Sequence, residues 1–135
     1  MAIYYIATPQ ITINAVDLTE YLKDVALTYE ADEIETTASG DASKEFIAGL
    51  KSWKVDATLN QDYTALKVDA TLFALVGAAP FAVILKPSVA AKGANNPEFT
   101  GNCILTSYPP MAGAVGELAT VKFTMRGTGA LARGV

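Results

Sequence analysis

Six carboxylates, Glu30, Asp32, Glu33, Glu35, Asp41 and Glu45, fall within the stretch YEADEIETTASGDASKEF (29–46), which holds a single base, Lys44. The chain has fourteen acids and ten bases, so this segment carries −5 and the remainder +1. Acids gathered in this way can work as a catalytic pair, as cation ligands, or as an assembly surface. Two carboxylates flanking a scissile bond hydrolyse glycosides, and Asp56 and Asp69 are the other acids that could form such a pair. Asp56, however, alternates with apolar residues on the polar side of a strand pattern, and Asp69 falls on a helix surface. Both read as solvated or salt-bridged surface acids. A calcium site needs oxygens converging from a tight loop, and the spacing from 30 to 45 is too spread for one.

Composition removes most other chemistry. There is no histidine, which excludes Ser-His-Asp and Cys-His nucleophile systems and most catalytic zinc sites. Cys103 is the only cysteine, so there is no internal disulfide, redox pair or multi-cysteine metal site. Its place in a strand pattern makes it a small core residue and suits a reducing compartment. No phosphate-binding loop occurs, and Gly127-Thr128-Gly129 follows a strand without opening a helix, unlike a dinucleotide fingerprint. The acidic balance argues against general nucleic-acid binding, which needs clustered Lys and Arg. One Trp and scattered Tyr and Phe do not suggest a substrate pocket. The expectation is a non-enzyme with no cofactor and no metal.

The elements that position these residues alternate with period two. In WKVDATLN, Trp53, Val55, Ala57 and Leu59 point one way and Lys54, Asp56, Thr58 and Asn60 the other, as in a half-buried strand. TVKFTMRG repeats this with Val121, Phe123 and Met125 inward. DVALTYEAD and QITIN carry the same signature, that of antiparallel sheets with one wet face. One segment breaks it: in DYTALKVDATLFALVG, Leu66, Asp69, Ala70, Phe73 and Val76 follow helical spacing, with Asp62 or Thr64 as N-cap and Gly77 at C′. The apolar run Ala70–Leu85 is shorter than the roughly 20 residues of a membrane span and is broken by Gly77 and Pro80. The opening MAIYYIATPQ lacks the basic region of a secretory signal.

The expected fold is therefore mainly β, an antiparallel sandwich or partly closed barrel of about eight strands. One helix (62–77) packs alongside, and the C-terminal tail (129–135) is flexible. At this length a single domain spans 1–135. Hydrophobic residues make up 51% and charged residues 18% of the chain; the latter lies below the roughly 25% of typical soluble domains. That imbalance favours apolar surface hidden against partners.

If 29–36 is extended, Glu30, Asp32 and Ile34 share one face while Ala31, Glu33 and Glu35 share the other. A strand with a buried face would not place acids on both sides, because unpaired buried carboxylates are costly. The segment must leave the body as an arm, with Ala38-Ser39-Gly40-Asp41 at its tip. Phe46 and Ile47 are possible docking residues on the way back. The acids either blunt an exposed edge or reach a neighbouring copy. In the second case the contact set is Glu30, Asp32, Glu33, Glu35, Thr36, Asp41 and Phe46. The bases that meet it are Lys51, Lys54, Lys86, Lys122 and Arg126 on predicted wet strand faces, an arrangement that sets register more than affinity.

In order of features, ITINAVDLTEYLKDVALTYEADEIETTASGD resembles the opening of the major tail tube protein of long-tailed bacteriophages. AGLKSWKVDATLNQDY, the helical segment near Tyr63 and Leu66, NPEFTGNCILTSYPP and the ending GTGALARG follow the family's order. Ala15 stands where that family often has Gly. The resemblance implies a β-sandwich subunit of hexameric rings, stacked into a hollow tube within the virion tail and assembled in the host cytoplasm. The 29–46 arm would touch the adjacent ring, and Asp56 is a possible bore-facing residue. Its partners would be other copies and the tape measure, tail terminator and baseplate or tip proteins, with double-stranded DNA in transient passage and no membrane. A monomeric β-sandwich binding or capsid-decorating module is the alternative.

Overall fold

The computed structural model describes residues 3–135; Met1 and Ala2, the start of the stretch read as lacking a secretory signal, lie outside it. Its strands are β1 (Gln10–Ile13), β2 (Val16–Asp17), β3 (Leu22–Glu35), β4 (Phe46–Asn60), β5 (Phe81–Lys86), β6 (Glu98–Leu105) and β7 (Thr120–Gly134), with one α-helix, α1 (Val68–Leu75). The strands form one antiparallel sheet in the order β2-β1-β5-β6-β7-β4-β3. The sheet curls so that its two flanks approach. Val25 and Leu27 of β3 line a groove together with Gln10, Leu85 and Phe99 from the opposite flank. No ladder crosses that seam, which makes the fold a partly closed barrel of seven strands rather than the expected eight.

Alternation decides what the curl encloses. Trp53, Val55, Ala57 and Leu59 of β4 join Val121, Phe123 and Met125 of β7, Phe81, Val83 and Leu85 of β5, and Cys103 and Leu105 of β6 in one buried cluster. Ile11 and Ile13 of β1 complete the wall. Burial in this apolar setting pushes the Cys103 thiol up to about 12, so it stays protonated and inert. Val68, Leu72 and Leu75 of α1 pack into the same cluster. The opposite, outer face is polar: Lys54, Asp56 and Thr58 of β4 lie opposite Arg126, Thr124 and Lys122 of β7.

The helix is shorter than the expected 62–77. Asp62 does not cap it; Lys67 occupies the N-cap position without a side-chain bond. Leu66 sits in the left-handed region (φ 64°), a conformation a helix cannot contain. Asp62 instead builds the turn before it, accepting hydrogen bonds from the Thr64 N–H (2.8 Å) and the Tyr21 hydroxyl (2.7 Å). At the other end Gly77 does stand one residue past the C-cap Val76, with φ 74°, the left-handed stop that glycine tolerates best. Between β1 and β2, Asn14 (φ 49°) and Ala15 (φ 66°) form a two-residue turn. Both central positions of such a turn need positive φ, which is the physical reason a glycine is favoured where this chain has Ala15.

The bond from the Thr64 backbone, then that from its side chain and that from Tyr21, hold the Asp62 carboxyl below the ordinary aspartate range. A depressed carboxylate contributes stability above its unfolded pKa, and that contribution is lost as pH falls through the folded value. Asp62→Asn should therefore lower the melting temperature at pH 7, and the gap to the wild type should close below about pH 4. Melting curves at stepped pH measure it; a gap that persists unchanged in acid would show that the ionised carboxylate contributes nothing.

The C-terminal tail is not the flexible segment expected from its small residues. Ala132, Arg133 and Gly134 pair with Thr100, Phe99 and Glu98 at the start of β6, and Leu131 packs on the core. A ladder offered by a long neighbouring strand orders residues whose own β-propensity is weak.

Candidate assembly surface

The architecture forks at Trp53. From Asn60 back to Lys54, β4 pairs with β3 on one side and with β7 on the other. Beyond Trp53, β4 keeps only β3, while β7 continues past Arg126 along β6 alone. The Trp53 ring is the wedge. It is buried, donates its indole N–H to the Gly129 carbonyl at 3.1 Å, and lies flat on the backbone of β6 and β7. A Cβ at Gly127 would come within 2.2 Å of the ring, and one at Gly101 within 2.4 Å. Only glycine admits so close an approach.

Past the fork, Tyr29–Glu35 and Phe46–Ser52 run out as a two-stranded ribbon closed by 36–45. The N–H of Thr36 bonds the carbonyl of Glu45 (2.8 Å), and the N–H of Ala38 bonds the Asp41 carboxylate (2.6 Å). Asp41 is thus occupied in shaping the tip, with Gly40 beside it at φ 99°. Strand alternation sets Glu30, Asp32 and Ile34 on one side and Ala31, Glu33 and Glu35 on the other. Glu30, Asp32, Glu33 and Glu35 lie on an extended hairpin strand, and Asp41 and Glu45 in the segment that closes it. None of the six carboxylates joins an ion pair among the described residues.

Sequence reasoning missed that the two strands of the ribbon differ in character. All four acids of the ribbon's strands sit on β3, whereas the returning strand presents Phe46, Ile47 and Leu50 to solvent, Leu50 at 82% exposure. Ile34 faces Ile47 across the ladder. Phe46 and Ile47 do not dock on the body. β3 is one of the two edge strands of the sheet, and charge along an edge is how proteins block unwanted strand pairing. On this geometry the acids guard one edge of the ribbon, and its apolar side chains come from the other strand. The signal was present in FIAGL, four of whose five residues are apolar next to an acidic run.

The candidate bases separate. Lys51 belongs to the ribbon itself, its ammonium 6.0 Å from the Tyr29 ring centre, and so is not on the outer face. Lys86 donates to the Ala90 carbonyl (2.9 Å). Lys54 lies 3.9 Å from Asp56, whose carboxylate also accepts from the Thr124 hydroxyl. Lys122 and Arg126 are exposed and unpaired among the described residues. They line an open cleft of about 440 Å³ with Thr106, Ser107, Phe123 and Thr124.

Asp56 and Asp69 do not form a catalytic pair. Asp56 is engaged on the outer face, while Asp69 accepts from the Tyr108 hydroxyl (3.0 Å) at the start of α1. Burial, with that bond assisting, pushes the Tyr108 hydroxyl up to about 12, so the pair is a fixed structural tie between the helix and the 106–119 connection. No group of three or more His, Cys, Asp or Glu side chains able to hold a metal occurs among the described residues. No helix there is long and apolar enough to cross a membrane.

The fold has solved counterparts. A chain of the virion of a native gene transfer agent (GTA) particle superposes with a TM-score of 0.72 at 15% identity, covering 95% of this chain and 96% of that one. A chain from the tail of an empty GTA particle with C6 symmetry gives 0.67 at 17% identity, over 85% and 83%. The Dit protein (gp 19.1) of phage SPP1, described as a paradigm of the hub adsorption apparatus in phages infecting Gram-positive hosts, gives 0.50 at 12% identity. It shares 91% of this chain but only half of its own length. These likenesses establish a shared fold. No protein-family model and no curated protein matches the chain in sequence.

Proposed function

We propose that the chain is the repeating subunit of a phage-like tail tube. Six copies close into a ring, and rings stack into a hollow conduit that passes double-stranded DNA during genome ejection. The observation that carries this reading is a fold shared over nearly its full length with GTA virion and tail chains, one of them in a C6-symmetric tail. The ribbon supports it independently: beyond its own hairpin it pairs with no other strand among the described residues, and it exposes apolar side chains that a lone soluble monomer would hide.

In this reading the ribbon reaches the next ring, and Asp56 with the polar outer face of β4 and β7 borders the bore. Duplex DNA carries about one negative charge per 1.7 Å of axis, so a strongly basic wall would hold it. On that wall Asp56 offsets Lys54, and Thr58 and Thr124 are uncharged; Lys122 and Arg126 are its bases without an ion-pair partner among the described residues. The tube has no catalytic task. It belongs to the virion tail, with tape measure, terminator and tip proteins as its further contacts.

Negative-stain electron microscopy of concentrated protein, beside sedimentation velocity of a dilute sample, tests this. Hollow tubes or rings are expected. A monodisperse monomer at every concentration, with no partner-triggered assembly, would favour a β-sandwich binding or decorating module instead.

A further inference from the structure

We infer that the open seam between β3 and β1 is a strand-receiving groove, and that its occupant is the chain's own N-terminal segment, Ile3–Thr8, which adds along β3 as an eighth strand. The seam is a different surface from the ribbon, and its closure does not depend on the tube reading.

The edge of β3 argues first. It is unpaired on the side away from β4, and its two halves differ in charge. Acids stud the part that enters the ribbon, but Val25-Ala26-Leu27-Thr28-Tyr29 carries none. An uncharged open edge invites pairing with another extended chain. This one borders a groove of about 140 Å³, with Val25 and Leu27 on one flank and Leu85, Pro87 and Phe99 on the other. Val25, Leu27 and Phe99 are only partly buried, so an added strand has apolar surface to cover. Gln10 lines the same groove. Its side-chain oxygen is buried without a hydrogen-bond partner among the described residues, an acceptor short of a donor.

The occupant already stands at the entrance. Ile6 and Pro9 form part of the groove wall, and the Tyr4 hydroxyl donates to the Pro87 carbonyl at 2.8 Å. Ile3-Tyr4-Tyr5-Ile6 is a run of strong strand formers, yet it joins no ladder. Exposure alternates along it: 87% at Ile3, 51% at Tyr4, 85% at Tyr5 and 60% at Ile6. That is the period of an extended chain with Tyr4 and Ile6 on its sheltered side. Direction fits as well. Five antiparallel steps lead from β1 through the sheet to β3, so the segment that runs into β1 meets β3 antiparallel. No side chain before Asp17 is charged, so nothing in the segment opposes burial. Tethering favours this occupant over a second copy, because a short linker holds it at an effective concentration in the millimolar range.

Amide exchange in dilute protein tests it. The amides of 25–29 that point away from β4 should exchange roughly tenfold or more slowly than open-edge amides. A chain lacking residues 1–8 should lose that protection, and the synthetic peptide IYYIAT should restore it saturably. None of the removed residues belongs to the buried core, and an unchanged melting temperature verifies folding. Tyr4→Lys with Ile6→Lys in the full-length chain should lose the protection too, without shortening anything. Equal exchange in the wild type and the shortened chain overturns the inference, as does a peptide that restores nothing. Protection that disappears on dilution would make a second copy the occupant and overturn it as well.

Discussion

Replacing residues 32–50 with an Asn-Gly turn should give a folded monomer that no longer assembles. Ala31 and Lys51 are ladder partners, so a two-residue turn of the type that Asn-Gly favours can close the shortened hairpin in register. None of the removed side chains belongs to the buried core. The melting temperature should therefore stay within a few degrees of the wild type. Assembly is the property that changes. Covering a side chain such as Phe46 or Leu50 is worth about 1.5–3 kcal/mol, so losing even two of them raises the assembly concentration roughly a hundredfold. Sedimentation velocity and electron microscopy read the outcome. Tubes from the shortened chain at wild-type concentration would remove the ribbon from the interface.

Trp53→Ala should produce the largest loss of stability of any single substitution in the chain. Removing a buried Trp typically costs about 3–5 kcal/mol, a large share of the roughly 5–15 kcal/mol that hold a domain. For a chain of this size the expected fall in melting temperature is roughly 10–20 °C. Gly127→Ala should be harmful for the converse reason. Its methyl would meet three ring atoms at 2.2–2.5 Å, and overpacking of that kind costs about 1–3 kcal/mol. The two effects must couple, since the clash needs the ring. In the Trp53→Ala background, Gly127→Ala should be nearly silent, as a double-mutant cycle would measure. Additive losses would mean that Gly127 is needed for some reason other than the indole above it. Because Trp53 also marks the point where β4 and β7 separate, its loss should loosen the angle at which the ribbon leaves the barrel. Assembly should then weaken even at temperatures where the variant is folded.

The two halves of one strand illustrate what could be read in advance. In β4, WKVDATLN announced both its faces, because alternation is a local property: side chains at i and i+2 share a side whatever the strand pairs with. The same argument placed Glu30 and Asp32 opposite Glu33 and Glu35 and required the acidic segment to be wet on both sides. It also identified the core residues of β7, and the loss of period two marked the helical break after Gln61, with Gly77 read as its stop from capping chemistry. It did not reveal that FIAGLKS continues the same strand. Without a buried face there is no alternation to detect, and only the ladder to β3 makes those residues extended.

What the sequence by itself determined, then, is which residues can be buried and which chemistry is unavailable. Tertiary structure decided who pairs with whom. It ordered the GALARG ending against β6, turned Asp62 from a helix cap into a turn, removed Lys51 from the outer face, and brought Trp53 onto Gly101 and Gly127, 48 and 74 positions away. The physical reason is that burial preference is carried by each side chain. A hydrogen-bonded edge, a like-charge pair or a glycine beneath a ring exists only once two distant segments have met.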